Sequence, residues 1–167
     1  LHIQRQLDRL IAENAIDDAI VIIQSIGNMK EASLLDTLIK HLQSTENNKL
    51  RNEIALALSD IGHNAAVEPI IEVLVRPKTK GSRGTLLYAL ENLEYFSHIE
   101  TITGFIGDDT FEASLQSLLL LEHVIDNLSD VEKERCRNII EPKLKKKNNE
   151  ILEEALERLA QGSLFLT

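Results

Sequence analysis

The stretch Leu50-Arg51-Asn52-Glu53-Ile54-Ala55-Leu56-Ala57-Leu58-Ser59-Asp60-Ile61-Gly62-His63-Asn64-Ala65-Ala66-Val67-Glu68-Pro69-Ile70-Ile71-Glu72-Val73-Leu74 decides the fold. Leu50, Ile54, Ala57, Leu58 and Ile61 fall at spacings of four, three, one and three, which places them on one face of a helix. Leu35, Leu38, Ile39 and Leu42 repeat the pattern upstream, as do Leu152, Ala155, Leu156 and Leu159 near the end of the chain. No comparable stretch alternates with period two, so strands are not expected.

The stretch recurs along the chain. Ala57-Leu58-Ser59-Asp60-Ile61 matches Ala89-Leu90-Glu91-Asn92-Leu93 at an offset of 32, and at the same offset Val67, Ile70 and Leu74 land on Ile99, Ile102 and Ile106. An offset of 35 brings Ile61-Gly62 onto Ile26-Gly27, and one of 31 brings Leu90 and Leu93 onto Leu121 and Val124. A two-helix period of this length is the mark of an α-solenoid. The reading gives helices at 2–12, 15–26, 29–43, 49–61, 65–75, 83–96, 98–106, 110–128, 130–147 and 149–161. Asn28 with Glu31, Ser97 with Glu100, and Ser129 with Glu132 are spaced as capping boxes at the starts of second helices; Asp109 with Glu112 has the same spacing at a first helix, and Asn64 is a simple cap. Turns this short make the paired helices antiparallel.

Residues 50–74 resemble a HEAT repeat, and more narrowly the HEAT-like subtype named after phycobilisome lyases. Arg51 opens the first helix, Ala57-Leu58-Ser59-Asp60-Ile61-Gly62 ends it, and Ala66-Val67-Glu68-Pro69-Ile70-Ile71 forms the second. The resemblance implies an all-α, α-α superhelix: a right-handed solenoid of about four and a half antiparallel helix pairs, with second helices lining the concave side. The whole chain, 1–167, reads as a single domain with units at 13–48, 49–81, 82–109 and 110–148 and a partial unit at 149–167. The apolar Ser163-Leu164-Phe165-Leu166 is expected to cap the last unit or to lead into further repeats.

Composition supports a globular chain and narrows its chemistry. The 167 residues are 43% hydrophobic and 27% charged, which fits a packed domain rather than a disordered one. A single cysteine, Cys136, excludes an internal disulfide framework and a cysteine-based zinc finger. The apolar run at Ala19-Ile20-Val21-Ile22-Ile23 is far short of the roughly 20 residues that span a bilayer. With no signal-peptide pattern at the start, a soluble, cytoplasmic protein is expected.

The net charge of −9 disfavours nonspecific binding of nucleic acid. Its distribution is blocked: residues 76–83 hold four bases and no acid, 84–132 hold ten acids and neither Lys nor Arg, and 133–147 hold seven bases against two acids. Arg76, Lys78, Lys80 and Arg83 therefore form a candidate anion-binding loop. Lys143, Lys145, Lys146 and Lys147 end a helix, where positive charge complements the macrodipole, and all four are expected to face solvent.

Catalytic chemistry finds little foothold. Deoxyhypusine hydroxylases resemble this repeat and hold iron through His-Glu pairs; here the equivalent dipeptides are Asp17-Asp18, Asn52-Glu53 and Gly84-Thr85, and no His-Glu pair occurs. His2, His41, His63, His98 and His123 lack metal-ligand spacing. Cys136 reads as a small buried hydrophobe between Arg135 and Arg137. Gly107-Asp108-Asp109 reads as a loop and cap, and Tyr88, Tyr95, Phe96, Phe105 and Phe111 as packing residues. No catalytic residue, metal or cofactor is expected. The expected function is that of a noncatalytic scaffold binding a protein partner through the solvent-facing second helices at Asp36, Lys40, Glu68, Glu72, Thr101 and Thr103. A bilin-lyase-like enzyme subunit and a nucleic-acid-binding protein are the alternatives.

Overall fold

A computed structural model describes residues 2–108 and 110–161. Among them are ten α-helices joined by short turns, with no strand. The chain divides into two compact units, Leu1–Glu94 and Tyr95–Thr167. The Asp109–Glu112 box and the 163–166 segment fall outside the described residues at Asp109 and at 162–167.

The first unit contains α1 (His2–Ala12), α2 (Ile16–Asn28), α3 (Leu35–Ser44), α4 (Asn48–Ile61), α5 (Val67–Leu74) and α6 (Gly84–Ala89). α2 packs on α4 and α4 on α6, forming one layer; α3 packs on α5 in the other. The layers meet where α1 packs on α2, α3 on α4 and α5 on α6. This two-layer stacking makes the unit an α-α solenoid. Its core is aliphatic: Leu7, Ile23, Ile26, Leu38, Leu42, Leu50, Ile54, Leu58, Ile70 and Leu74 are essentially inaccessible.

The period inside this unit is 32, and the turns define it. Glu31 and His63 each open a single 3-10 turn, where Glu31 O accepts from Leu34 N at 3.1 Å and His63 O from Ala66 N at 3.1 Å. Lys30 and Gly62, also 32 apart, are left-handed, with φ of 51° and 76°. Lys30 is thus the counterpart of Gly62, and the offset of 35 that aligned Gly27 with it is corrected. Gly27 lies inside α2, pressed on α4: a Cβ there would sit 3.1 Å from Ala57 Cα. Its absent side chain sets the distance of closest approach between the two helices.

These 3-10 turns also displace two of the expected caps. Asn28 ends α2 rather than starting α3, and no side chain caps the Ala32–Leu34 turn. Asn64 lies within the Asn64–Ala66 turn, where the His63 imidazole accepts from Ala65 N at 3.0 Å instead. Asn47 does cap α4, accepting from Leu50 N at 2.8 Å. The helix expected over 83–96 stops at Ala89, passes through a 3-10 turn and becomes extended at Leu93. No glycine follows Leu93 to take the left-handed turn, and Glu94 N donates instead to Asn64 Oδ1 at 3.0 Å.

The second unit contains α7 (Ile99–Thr103), α8 (Phe111–Val124), α9 (Asp130–Lys146) and α10 (Glu150–Gln161). It also has two layers, α7 on α9 and α8 on α10. α7 is shorter than the expected 98–106 because the chain turns from Gly104 onward, with Gly107 at φ 88°. Ser97 does not cap it; Ser97 lies in a 3-10 turn whose Tyr95 carbonyl takes His98 N at 2.9 Å. Among the described residues of this unit three side-chain caps are formed: Thr110 to Ala113 N at 3.1 Å, Ser129 to Glu132 N at 3.1 Å, and Asn149 to Leu152 N at 3.1 Å. At Ser129 the box is complete, since Glu132 reaches back to Ser129 N at 3.0 Å. That hydrogen bonding holds the Glu132 carboxyl below its usual pKa.

Candidate partner-binding surfaces

In the first unit Asp36 and Lys40 on α3, and Glu68 and Glu72 on α5, are all exposed. A set of polar bonds between residues about one period apart holds the two helices in register. Gln43 Nε2 donates to Glu72 Oε2 at 3.2 Å, and Arg76 donates to Gln43 O at 2.8 Å while pairing with Glu72 at 2.7 Å. Lys78 reaches Glu46 at 3.0 Å and, chiefly by that bond, holds the Glu46 carboxyl below its usual pKa. Lys49 reaches Asp17 at 3.2 Å, and the His41 ring lies 2.6 Å from Asp8.

Thr101 is exposed on α7 in the second unit, but Thr103 is fully buried. Thr103 donates its hydroxyl to Ile99 O at 2.7 Å and lies 3.6 Å from Cys136 Sγ. Two positions beyond Thr101 on a helix is the opposite face, so Thr103 is withdrawn from the surface.

The basic loop has a structural use. Arg83 is nearly buried, donating to Leu74 O at 2.7 Å and Arg76 O at 2.9 Å beside the fully buried Thr79. With Arg76 on Gln43 O and Lys78 on Glu46, three of the four bases are engaged by protein oxygens, while Lys80 is exposed. The same chemistry recurs at two other helix ends. Arg51, opening α4, donates to Thr45 O just past α3, and Arg137 donates to Leu159 O of α10 at 3.2 Å. Cations complement the partial negative charge of unpaired helix carbonyls.

Lys143 belongs to this group and corrects the expectation that it faces solvent. Its ammonium donates to Gly104 O, to Ile106 O at 2.9 Å and to Asp108 at 2.7 Å, closing the end of α7. Lys145, Lys146 and Lys147 are exposed. A cleft of about 300 Å³ lies beside them, lined by Asp108, Lys143, Lys146 and Asn149 among others. Cys136 is fully buried, and desolvation pushes its thiol pKa up, the opposite of what a reactive thiolate requires.

On α8 the large apolar residues Phe111, Leu115 and Leu119 are exposed, whereas the small Ser114 and Ser117 are buried. Nothing in the periodicity of this helix announces which face is which, because its apolar residues lie all round.

The family model for HEAT repeats matches residues 4–91, a little over half of the chain. The chain belongs to the HEAT repeat family. No curated protein and no solved structure matches it. The matched span runs from α1 into the turn after α6, within the first unit. HEAT repeats are a scaffold used for many purposes, so membership fixes architecture more than activity. Among the described residues no helix is long and apolar enough to cross a membrane.

Proposed function

We propose that this HEAT repeat chain is a noncatalytic scaffold whose first unit binds a partner protein along the exposed side of α3 and α5. One arrangement carries the reading. Asp36, Lys40, Glu68 and Glu72 are exposed on two packed helices whose register is fixed by the Gln43, Glu72 and Arg76 bonds. Preordered polar side chains bind with less entropy loss than mobile ones. In the second unit Thr101 is the exposed member of the same set. The engagement of Arg76, Lys78 and Arg83 by protein oxygens leaves the nucleic-acid alternative little free positive charge in that loop. The narrower phycobilisome-lyase subtype is supported by Arg51 closing the preceding turn and by the left-handed Gly62 after Ile61.

The test is Asp36→Lys combined with Glu68→Lys. Proteins retained from native extract by the unaltered chain should be lost from the variant, while its unfolding midpoint shifts by less than about 0.5 kcal/mol equivalent. Retention of the same proteins at the same level by a folded variant would refute the assignment of this surface.

A further inference from the structure

We propose that the exposed face of α8 docks a basic amphipathic helix of a partner protein. This rests on the reading of the chain as an interaction scaffold but concerns a different surface from the one on α3 and α5. The basis is an apolar stripe left in solvent on a helix that buries two serines. Phe111, Leu115 and Leu119 follow one another at intervals of four and are 74%, 37% and 36% exposed. Ser114 and Ser117 on the same helix are 3% and 0% exposed, and the Ser117 hydroxyl has no hydrogen-bond partner. α8 already buries Leu118, Leu120 and Leu121, so Phe111, Leu115 and Leu119 are apolar residues beyond those its unit covers. The inward serines instead let α8 sit close to its neighbours, and Ser114 Oγ accepts from Gly107 N at 2.9 Å.

Shape and charge together define the occupant. From Phe111 to Leu119 the stripe runs about 12 Å, two helical turns, which matches apolar residues at i, i+4 and i+7 or i+8 of a partner helix. Acids stand at both ends of it, Glu112 next to Phe111 and Asp126 beyond Leu119, both exposed, while Glu122 is already paired with Arg158 of α10 at 2.9 Å. No Lys or Arg occurs anywhere in 84–132. A complementary helix therefore carries Lys or Arg flanking its apolar residues. A second copy of this chain fits poorly, because antiparallel pairing of two α8 faces sets Glu112 against Asp126 with no free base between them. An anionic lipid surface meets the same repulsion.

The test uses the whole chain and three labelled 16-residue synthetic peptides, read by fluorescence anisotropy. One is a Leu/Lys amphipathic helix, one is the same helix with Glu for Lys, and one is the Leu/Lys composition scrambled out of helical phase. The first should bind on the order of 10-fold or more tightly than the other two. Its affinity should fall as salt rises from about 0.05 to 0.3 M. Phe111→Gln, at the most exposed position, should weaken binding several-fold without moving the thermal midpoint. Leu115→Gln with Leu119→Gln should abolish binding, and Glu112→Gln with Asp126→Asn should flatten the salt dependence. Equal binding of phased and scrambled peptides, or full binding by a folded Phe111→Gln variant, would overturn the proposal. So would concentration-dependent dimerisation, or binding to neutral lipid vesicles, that Phe111→Gln abolishes. Asp36→Lys with Glu68→Lys should leave peptide binding unchanged, so failure on one surface is separable from failure on the other.

Discussion

Arg83 offers the sharpest test of how this acidic chain uses its cations. Its guanidinium holds Leu74 O at 2.7 Å and Arg76 O at 2.9 Å, in a nearly water-free position beside Thr79. A hydrogen bond from a charged donor contributes roughly 1.5–3 kcal/mol net. Two such bonds would give twice that, but the Thr79 hydroxyl also contacts both carbonyls, at 3.2 and 2.9 Å, and remains when Arg83 is removed. The expected loss for Arg83→Met, which keeps the apolar stem, is therefore about 2–3 kcal/mol. Arg83→Lys should recover only part of it, because an ammonium cannot reproduce the fork that spans two carbonyls. Lys80→Gln, in the same loop but exposed, should stay within about 0.5 kcal/mol of the unaltered chain. Urea unfolding followed by circular dichroism at 222 nm reads all three. If Arg83→Met and Lys80→Gln shift the midpoint equally little, Arg83 is a free surface cation, and the structural use assigned to the 76–83 loop is wrong.

Other variants separate the second unit's features. Gly107→Ala places a Cβ 2.9 Å from Leu152 Cδ1 at a φ of 88°, so it should destabilise that unit by about 2 kcal/mol in denaturant titrations. Ser129→Ala should cost about 0.5–2 kcal/mol and Ser97→Ala less than about 0.5, since only Ser129 caps a helix. Glu132 has a depressed folded pKa, so its contribution is present above its usual value of 4.5 and lost as pH falls through the lower folded value. Stability should accordingly decline more steeply on acidification below pH 4.5 in the unaltered chain than in Glu132→Gln. The Cys136 thiol should resist an aromatic disulfide reagent at pH 8 until urea opens the unit; reaction at the rate of a free thiol in the native chain would contradict its burial.

Helix periodicity in the sequence located most of the ten helices among the described residues because those helices bury one face, and the 32-residue offset between Ala57–Ile61 and Ala89–Leu93 matches the period of the turns at Glu31 and His63. Ser129 and Glu132 were legible as a box because a local motif needs only local chemistry. The same motif misled at Asn28 and Ser97, where a 3-10 turn satisfies the first donors through the backbone and leaves the side chain nothing to cap. Thr103 was misplaced because α7 is only five residues long, too short for periodicity to say which side faces Cys136. Solvent exposure of Lys143 and anion binding by Arg83 are what the sequence suggests, because the backbone acceptors that engage them, such as Gly104 O and Leu74 O, lie in other turns. The α8 stripe escaped notice for a related reason: a helix apolar on every side carries no phase from which its exposed face can be read.

The period-spaced bonds of the first unit also bear on how it responds to load. Lys49–Asp17, Lys78–Glu46 and Gln43–Glu72 link positions 29–32 residues apart and are exposed. Exposed links of this kind are individually weak and screened by solvent. The aliphatic layers between them are far costlier to separate. Tension along the stack would therefore open these edge links singly and reversibly before any layer parts, which gives the unit the character of a soft spring over small extensions. His41–Asp8 and Arg76–Gln43, both part-buried, would yield after the exposed links, so compliance should be graded along the unit rather than uniform.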